Sequence, residues 1–280
     1  MAIPESRDKG RRKGNEKRKR KIIRRSSETT ATPFRLAVLE ADTPVPAANE
    51  RYKGYLGVFR HLFARTAAPA PLESVLTLTG HDVVHNSQTA YPDLDEVDGI
   101  LITGSKHNAF DDDDWIVRLV EYVREALLHP RPVKVVGICF GHQIVARALG
   151  TPVARSDKGW EVSVVETTLT EKGRELFGGR KTLKIQQMHR DQVFSVPPGA
   201  ELLASTEVCG NHGFVIPGRA ITVQGHPEFT ADIMDEILEL RHQSGLFTDE
   251  LYKSGKSRNN DEHDGVFMAK VFLKFLLQGH

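Results

Sequence analysis

Residues 133–146 read VKVVGICFGHQIVA, and this segment carries the strongest structural signal in the sequence. It begins with a short β-branched apolar run, which is typical of a buried parallel strand. It then turns through GICFG and continues with helical periodicity to Gly150, which suits the position just after a helix. A cysteine flanked by glycines between a strand and a helix is the thiol counterpart of the nucleophile elbow. We therefore predict a strand, a sharp turn at Cys139 and a helix.

The predicted position of Cys139 suggests a nucleophile. The flanking glycines would let strand and helix approach closely, so that the thiol projects above the edge of the sheet. The start of the helix offers partial positive charge and free N–H groups, which favour a thiolate and can hold an oxyanion. The alternative is a buried core thiol, the commonest state of a free cysteine. Cys139 alone leaves these two interpretations evenly balanced.

A second stretch, ITVQGHPE at residues 221–228, favours the catalytic interpretation. Its pattern indicates a strand that ends in His-Pro-Glu just before another helix. A cysteine, a distant histidine and an acid two residues after that histidine supply a nucleophile, a base and a group that orients the base. We therefore predict that Cys139, His226 and Glu228 form a catalytic triad.

The two motifs, GICFGHQ at residues 137–143 and QGHPE at residues 224–228, resemble those of the class I glutamine amidotransferase family. The resemblance spans roughly residues 34–243. Within the family, GSKHNAFDDDDW at residues 104–115 is similar to a run in stand-alone fungal and plant members, which include the plant γ-glutamyl peptidases. The resemblance implies a flavodoxin-like fold and attack of the cysteine on a γ-glutamyl amide through a γ-glutamyl thioester.

The same resemblance implies roles for residues around the triad. The oxyanion donors would be the backbone N–H groups of Gly104 and Phe140. Three further side chains would lie near the bound glutamyl group, namely Gln143, His189 and Asp191.

Each of these assignments has a structural alternative. Gln143 could be an ordinary residue on the helix surface, and His142 and His189 could be packing or surface histidines. Cys209 lies in a loop without a motif, and we expect it to be incidental. The four aspartates at residues 111–114 could hold a metal, but capping of the following helix is favoured, so no metal site and no cofactor are predicted.

Three functions are compatible with these motifs. The chain lacks an SGGxDS pyrophosphatase loop and a Walker A motif, so we expect no ATP-dependent step in the chain itself. It could hydrolyse small γ-glutamyl compounds unaided, or it could be a glutaminase that delivers ammonia to a separate synthetase, for example in a fungal secondary-metabolite pathway. The run Thr103-Gly104-Ser105, where many synthetase-linked members have Gly-Gly-Pro, favours the stand-alone hydrolase. A silent scaffold with a nucleic-acid-binding arm is disfavoured by the intact triad.

The order of predicted elements indicates a single-domain α/β protein. Strands and helices alternate from Phe34, which predicts a mostly parallel sheet flanked by helices, with the site at its carboxyl edge. Short strands after Gly150 predict added antiparallel pieces. We expect a helix at residues 53–66, another from residue 115, a polar loop at residues 244–260 and a last helix at about residues 261–277.

Composition indicates an ordinary intracellular globular protein. Of its 280 residues, 39% are hydrophobic and 27% charged, and no apolar run is long enough for a transmembrane helix. The start of the sequence lacks the apolar segment of a secretory signal. Two cysteines do not suggest a disulfide framework. We expect a cytoplasmic protein that acts on a small γ-glutamyl substrate and has no membrane partner.

The near-neutral net charge conceals a basic segment at the start of the chain. Residues 1–30 hold 12 Lys and Arg against 4 Asp and Glu, a net of +8, while the remainder has a net of −7. With few apolar residues, residues 1–32 are predicted to be a disordered arm that precedes a domain at residues 33–280. The arm could be a nuclear-import signal, a nucleic-acid contact or a solvated extension, and a nucleic-acid partner is not favoured.

Overall fold

The computed structural model describes residues 1–2 and 32–279, and the residues from Thr32 onward form one compact unit. The predicted disordered arm at residues 1–32 lies almost entirely outside the described residues. Within the described part of the chain, no helix has both the length and the apolarity needed to cross a membrane. Both cysteines are free and buried.

The centre of the fold is a seven-stranded sheet. Its strands are, in spatial order, β2 (Leu76–Asp82), β1 (Phe34–Glu40), β3 (Gly99–Ile102), β4 (Lys134–Ile138), β12 (Ala220–Val223), β11 (Phe214–Ile216) and β9 (Glu201–Leu202). The first five are parallel to one another, and β11 runs antiparallel to both of its neighbours. This confirms the predicted α/β fold with a mostly parallel sheet and added antiparallel strands.

Helices cover both faces of the sheet. Alternate residues of a strand point to opposite faces, so Leu36 and Val38 join one apolar cluster while Ala37 and Leu39 join the other. The first cluster includes residues of α2 (Tyr55–Ala67), α6 (Ala231–Gln243) and α8 (Gly265–Leu277). The second includes residues of α3 (Asp114–Leu128) and α4 (Phe140–Ala148). The core therefore lies on both sides of the sheet, as in other doubly covered parallel sheets.

The remaining strands do not all extend the central sheet. A three-stranded antiparallel sheet contains β10 (Ala204–Ser205), β6 (Glu161–Leu169) and β7 (Thr182–His189). A two-stranded sheet contains β5 (Val153–Arg155) and β8 (Asp191–Val193). The three-stranded sheet contacts the central sheet, because Gln186 of β7 and His226, which follows β12, form an isolated antiparallel bridge.

The helix predicted at residues 53–66 corresponds to α2, which begins two residues later, and an additional helix that was not predicted precedes it. The structure has α1 (Pro46–Tyr52) and α2 separated by Lys53 and Gly54, both with positive φ. The Glu40 carboxylate accepts the N–H of Leu56 at 3.0 Å. Its Oε2 would lie only 2.7 Å from a Cβ added to Gly54. The break therefore arises from a contact with β1, which periodicity cannot reveal.

The prediction of a polar loop at residues 244–260 is wrong, because α7 (Asp249–Arg258) lies within this segment. The side chain of Thr248 caps it by accepting the N–H of Leu251 at 3.3 Å. Gly255 faces Val162 and Ser163 of β6, and Arg258 donates to the carbonyls of Val162 (3.0 Å) and Val164 (3.2 Å). Packing against β6 thus stabilises a helix whose sequence is too polar to predict it. The other short helix, α5 (Glu171–Leu176), is also additional.

Candidate active site

The turn at Cys139 joins β4 to α4 in a strained conformation. Its φ of 50° and ψ of −101° are unusual for a residue that is not glycine. A Cβ on Gly141 would stand 2.3 Å from the Ile102 carbonyl oxygen, and one on Gly137 would stand 2.7 Å from the Gly141 carbonyl oxygen. Both glycines are therefore required for the close approach of strand and helix that the sequence predicts.

His226 follows β12, the strand next to β4, so the two motifs meet at the carboxyl edge of the sheet. Its backbone N–H donates to the Gln186 carbonyl at 2.8 Å, and its ring stacks on Phe229 with centroids 4.0 Å apart. Its Nδ1–H donates to Glu228 Oε1 at 2.8 Å. The side chains of His226 and Cys139 line the same cavity, and both lie beside Gly104. The structure thus brings together all three residues of the predicted triad.

The electrostatics of this group favour a charged imidazole. Burial lowers the pKa of His226, but the charges of Cys139 and Glu228 outweigh burial and raise the pKa to about 10. A cationic imidazole beside a cysteine is the arrangement found around cysteine nucleophiles. The arrangement can supply a nucleophilic sulfur and a proton donor at neutral pH.

The glycine predicted to supply an oxyanion donor touches the histidine. A Cβ on Gly104 would stand 2.6 Å from His226 Cε1 and 3.8 Å from Cys139 Cβ. Thr103 Oγ1 accepts the N–H of Ala41 at 3.0 Å and donates to the Gly104 carbonyl at 2.9 Å, which holds this loop in place. Phe140 is the first residue of α4, where N–H groups have no partner within the helix. Both predicted donors therefore flank Cys139.

Gln143 is buried, with 3% of its surface exposed, and is not on the helix surface. Its Nε2 donates to the Asp191 carbonyl (3.0 Å) and to Gln224 Oε1 (3.1 Å), which leaves its oxygen as the group open to a ligand. The Asp191 carboxylate accepts from Arg155 Nε at 3.0 Å. All three predicted substrate-contacting residues, Gln143, His189 and Asp191, line the cavity at Cys139. The His189 ring, however, also faces Glu161 in the interior.

Two residues are better explained by packing than by catalysis. His142 is fully buried with Nδ1 2.8 Å from Thr222 Oγ1, and burial lowers its pKa to about 3. Burial raises the pKa of Cys209 to about 12, so this thiol does not ionise at neutral pH. Cys209 is therefore unsuited to be the nucleophile.

The acidic run at residues 111–114 holds its loop through side-chain contacts. Asp114 begins α3, and Asp113 occupies the capping position without a side-chain hydrogen bond, so the predicted cap is absent. Asp112 pairs with Arg147 Nη2 at 2.5 Å, and Asp111 accepts from Asn108 Nδ2 at 2.8 Å. Within residues 1–2 and 32–279, these aspartates are not part of a group with metal-ligand geometry.

The thiol of Cys139 opens into a cavity of about 670 Å³, a size within the range of small-molecule sites. Its wall includes Arg241, which sequence analysis missed. The guanidinium lies 5.1 Å from the ring of Trp160 and 5.8 Å from that of Phe247, and no ion pair with a carboxylate of the described chain is present. The sequence does contain a signal for Arg241. This arginine lies four residues after the buried Ile237, so it falls on the apolar face of α6, where a cation is unusual.

Known proteins are similar to this chain in sequence and in fold. The family model described as glutamine amidotransferase class-I matches residues 73–241. A glutamine amidotransferase-like protein of Schizosaccharomyces pombe is 37% identical over 248 residues, which cover 88% of this chain and 99% of that protein. Gamma-glutamyl peptidase 3 of Arabidopsis thaliana is 35% identical over 249 residues, which cover 86% and 96%. A glutamine amidotransferase structure from Thermotoga maritima shows the same fold, with a TM-score of 0.65, 17% identity and coverage of 87% and 98%.

Proposed function

The chain belongs to the class I glutamine amidotransferase family, and on this basis we propose that it is a hydrolase of γ-glutamyl amides that acts without a synthetase. The observation that carries the proposal is that Cys139 and His226 line one cavity, with His226 held by Glu228 and Arg241 in the cavity wall. The likeness to a γ-glutamyl peptidase along most of both chains supports a γ-glutamyl compound as the substrate class.

The first half of the reaction forms a thioester. The Cys139 thiolate attacks the γ-carbonyl carbon, and the resulting oxyanion accepts hydrogen bonds from the N–H groups of Gly104 and Phe140. The His226 imidazolium then gives its proton to the departing nitrogen, so that ammonia or an amine leaves and a γ-glutamyl thioester remains.

The second half releases glutamate. Neutral His226 takes a proton from a water molecule as that water attacks the thioester carbonyl, and the sulfur leaves as a thiolate beside the imidazolium. Glu228 accepts from Nδ1–H throughout, which holds the ring orientation and stabilises the imidazolium.

Arg241 favours a substrate with a carboxylate. Burial lowers its pKa from the ordinary value of 12.5, while the charges of Cys139, Tyr55 and Asp42 act in the opposite direction. The guanidinium therefore stays cationic at neutral pH. Because Arg241 lies in the cavity wall with its guanidinium in cation–π contact with Trp160, and because a guanidinium carries a planar fork of donors, this side chain suits bidentate binding of a carboxylate. A γ-glutamyl peptide carries such groups at both of its ends.

The substrate class can be tested directly. Purified protein is incubated with glutamine, with glutathione and with glutathione S-conjugates, and glutamate and ammonia are measured separately. We expect glutamate release from the peptides, without ammonia, to be the faster reaction. Rapid ammonia release from glutamine with little turnover of peptides would instead favour a glutaminase subunit that supplies a separate synthetase.

Replacing Arg241 with leucine is expected to lower kcat/KM by about 10- to 100-fold, because a charge-assisted hydrogen bond to the substrate is lost. The change should appear mainly in KM, since the carboxylate is bound equally in the ground and transition states. Arg60→Leu on the exposed side of α2 is the matched control. A kcat/KM within twofold of the parent would exclude Arg241 from substrate binding.

Replacing Glu228 with glutamine is expected to lower kcat by on the order of 10²-fold with little change in KM. The effect is smaller than in a serine enzyme because a thiol ionises more readily than a hydroxyl. Loss of the carboxylate also removes one of the charges that raise the pKa of His226. The alkaline decline of kcat/KM should therefore begin at lower pH than in the parent, where His226 loses its proton near pH 10. Superimposable pH profiles would reduce the triad to a Cys–His dyad.

A further inference from the structure

A second cluster of chemically active side chains lies at one wall of the cavity, where His189 is part of the lining, and has no role in the proposed reaction. Glu161 begins β6 and His189 ends β7, and these two residues are direct partners across the antiparallel pair. Cys209 and His212 come from the loop between β10 and β11, with two residues between them. Strand register and this loop therefore bring four potential metal ligands to one place.

The four ligand atoms form a compact group in the interior. Their sulfur, nitrogen and oxygen atoms all lie within 4.8 Å of one another. Glu161 Oε2 is 2.9 Å from His212 Nε2 and 3.1 Å from His189 Nε2. In a tetrahedral zinc site with ordinary bond lengths, ligand atoms are about 3.3–3.8 Å apart, so only small movements separate this group from that geometry.

The orientation of His189 indicates that a positive charge is needed between its Nε2 and the Glu161 carboxylate. His189 is 3% exposed, and its Nδ1–H donates to the Asp191 carbonyl at 3.3 Å. In the neutral ring, Nε2 is then a lone-pair acceptor, yet it faces an acceptor oxygen of Glu161. Among the described residues, this Nε2 has no hydrogen-bond partner. A metal-bound histidine has this arrangement, with one nitrogen donating to a carbonyl and the other free for the metal.

We propose that Glu161, His189, Cys209 and His212 bind a zinc ion. A cysteine and two histidines suit zinc better than magnesium or calcium, which prefer oxygen ligands. Binding would displace the proton of the Cys209 thiol to solvent, so that the thiolate and the Glu161 carboxylate together balance the charge of Zn²⁺. With four protein ligands the site is closed, and its role is structural rather than catalytic.

The neighbouring groups suit this assignment. Gln187 Nε2 lies 3.4 Å from His212 Nδ1, while Gln187 Oε1 has no partner in the described chain. If the side-chain amide of Gln187 is rotated by 180°, its oxygen takes the place of Nε2 and can accept Nδ1–H from a metal-bound His212. Histidine ligands of metals commonly donate their second N–H to such an acceptor. The His212 carbonyl accepts the N–H of Gln224 at 3.0 Å. The ion would therefore hold the loop against the strand that carries His226.

The test measures metal in the full chain, purified without a polyhistidine tag. The parent and Cys139→Ala are expected to contain about one zinc per chain by elemental analysis. Cys209→Ser combined with His212→Gln should contain less than a tenth of that amount. In Cys139→Ala, Cys209 is the single remaining cysteine. A cysteinate-to-cobalt charge-transfer band in the Co²⁺-substituted form of this variant can therefore come only from Cys209.

Two further measurements on the parent protein test the zinc site if the double variant does not fold. Stripping zinc from the parent with a chelator should lower the thermal midpoint, and adding zinc back should restore it. A folded parent that contains no zinc, takes up none on dialysis against Zn²⁺ and shows no cobalt–sulfur band would overturn the proposal. The cluster would then be a hydrogen-bonded network with an extra proton on His189. These readouts do not depend on whether the protein hydrolyses γ-glutamyl amides.

Discussion

Replacing Cys139 with alanine is expected to abolish γ-glutamyl hydrolysis, a loss on the order of 10⁴-fold or more, while the protein stays folded. The reaction loses its nucleophile and cannot form the thioester. The fold should persist because alanine is smaller than cysteine and the backbone hydrogen bond from residue 139 to the Val223 carbonyl (2.9 Å) does not involve the side chain. Turnover of glutathione and glutamine, together with a thermal melt, measures both consequences.

The thiol chemistry of the same variant provides the control. In the parent, iodoacetamide should label Cys139 rapidly, because this residue lines the cavity beside the cationic imidazole of His226. Cys209 should stay unlabelled in the native protein, since burial raises its pKa to about 12. Activity within a few-fold of the parent in Cys139→Ala, accompanied by labelling of Cys209, would show that the nucleophile has been misassigned.

Replacing Gly104 with alanine is expected to lower kcat by on the order of 10³-fold. The new Cβ would stand 2.6 Å from His226 Cε1 and 3.4 Å from Nδ1, so either the ring or the loop must move. Both movements damage the reaction, because the ring carries the proton and the loop N–H is a proposed oxyanion donor. Loss of one such donor alone costs about 10²- to 10³-fold, and displacement of the ring adds to this.

Gly210→Ala is the matched control, because a Cβ at Gly210 would meet no atom within 4 Å and its φ is not in the left-handed region. Both variants should have thermal midpoints within a few degrees of the parent. Steady-state rates and binding of a non-hydrolysable γ-glutamyl analogue would be measured for each. If Gly104→Ala were as active as Gly210→Ala, Gly104 would have no part in catalysis.

The proposed catalytic group was predictable because its signal is local. The turn at Cys139 and the pair His226 and Glu228 each lie within a few residues of sequence, and the residue types already define the chemistry. Their meeting also follows from the sequence, because nucleophile and base end strands of one parallel sheet, and the carboxyl ends of parallel strands share an edge.

Other features depend on contacts that no local pattern encodes. The helix α7 forms in a polar segment because Gly255 lets it pack on β6. Arg241 interrupts an apolar pattern, yet its cation–π contact with Trp160 joins residues from two distant segments. Cys209 has no motif around it, and its proximity to Glu161 and the two histidines appears only when the loop folds against the strands.

The alternation of strands and helices, the turn at Cys139 and the chemical class of the proposed reaction could all be predicted from local patterns. Hydrophobic periodicity and short motifs act over a few residues, so they can be recognised without knowledge of the fold. Which buried polar groups meet, how far Gln143 is enclosed and where Arg241 lies in the cavity became clear from the folded chain alone. These depend on strand register and loop packing, and both are set jointly by residues far apart in the chain.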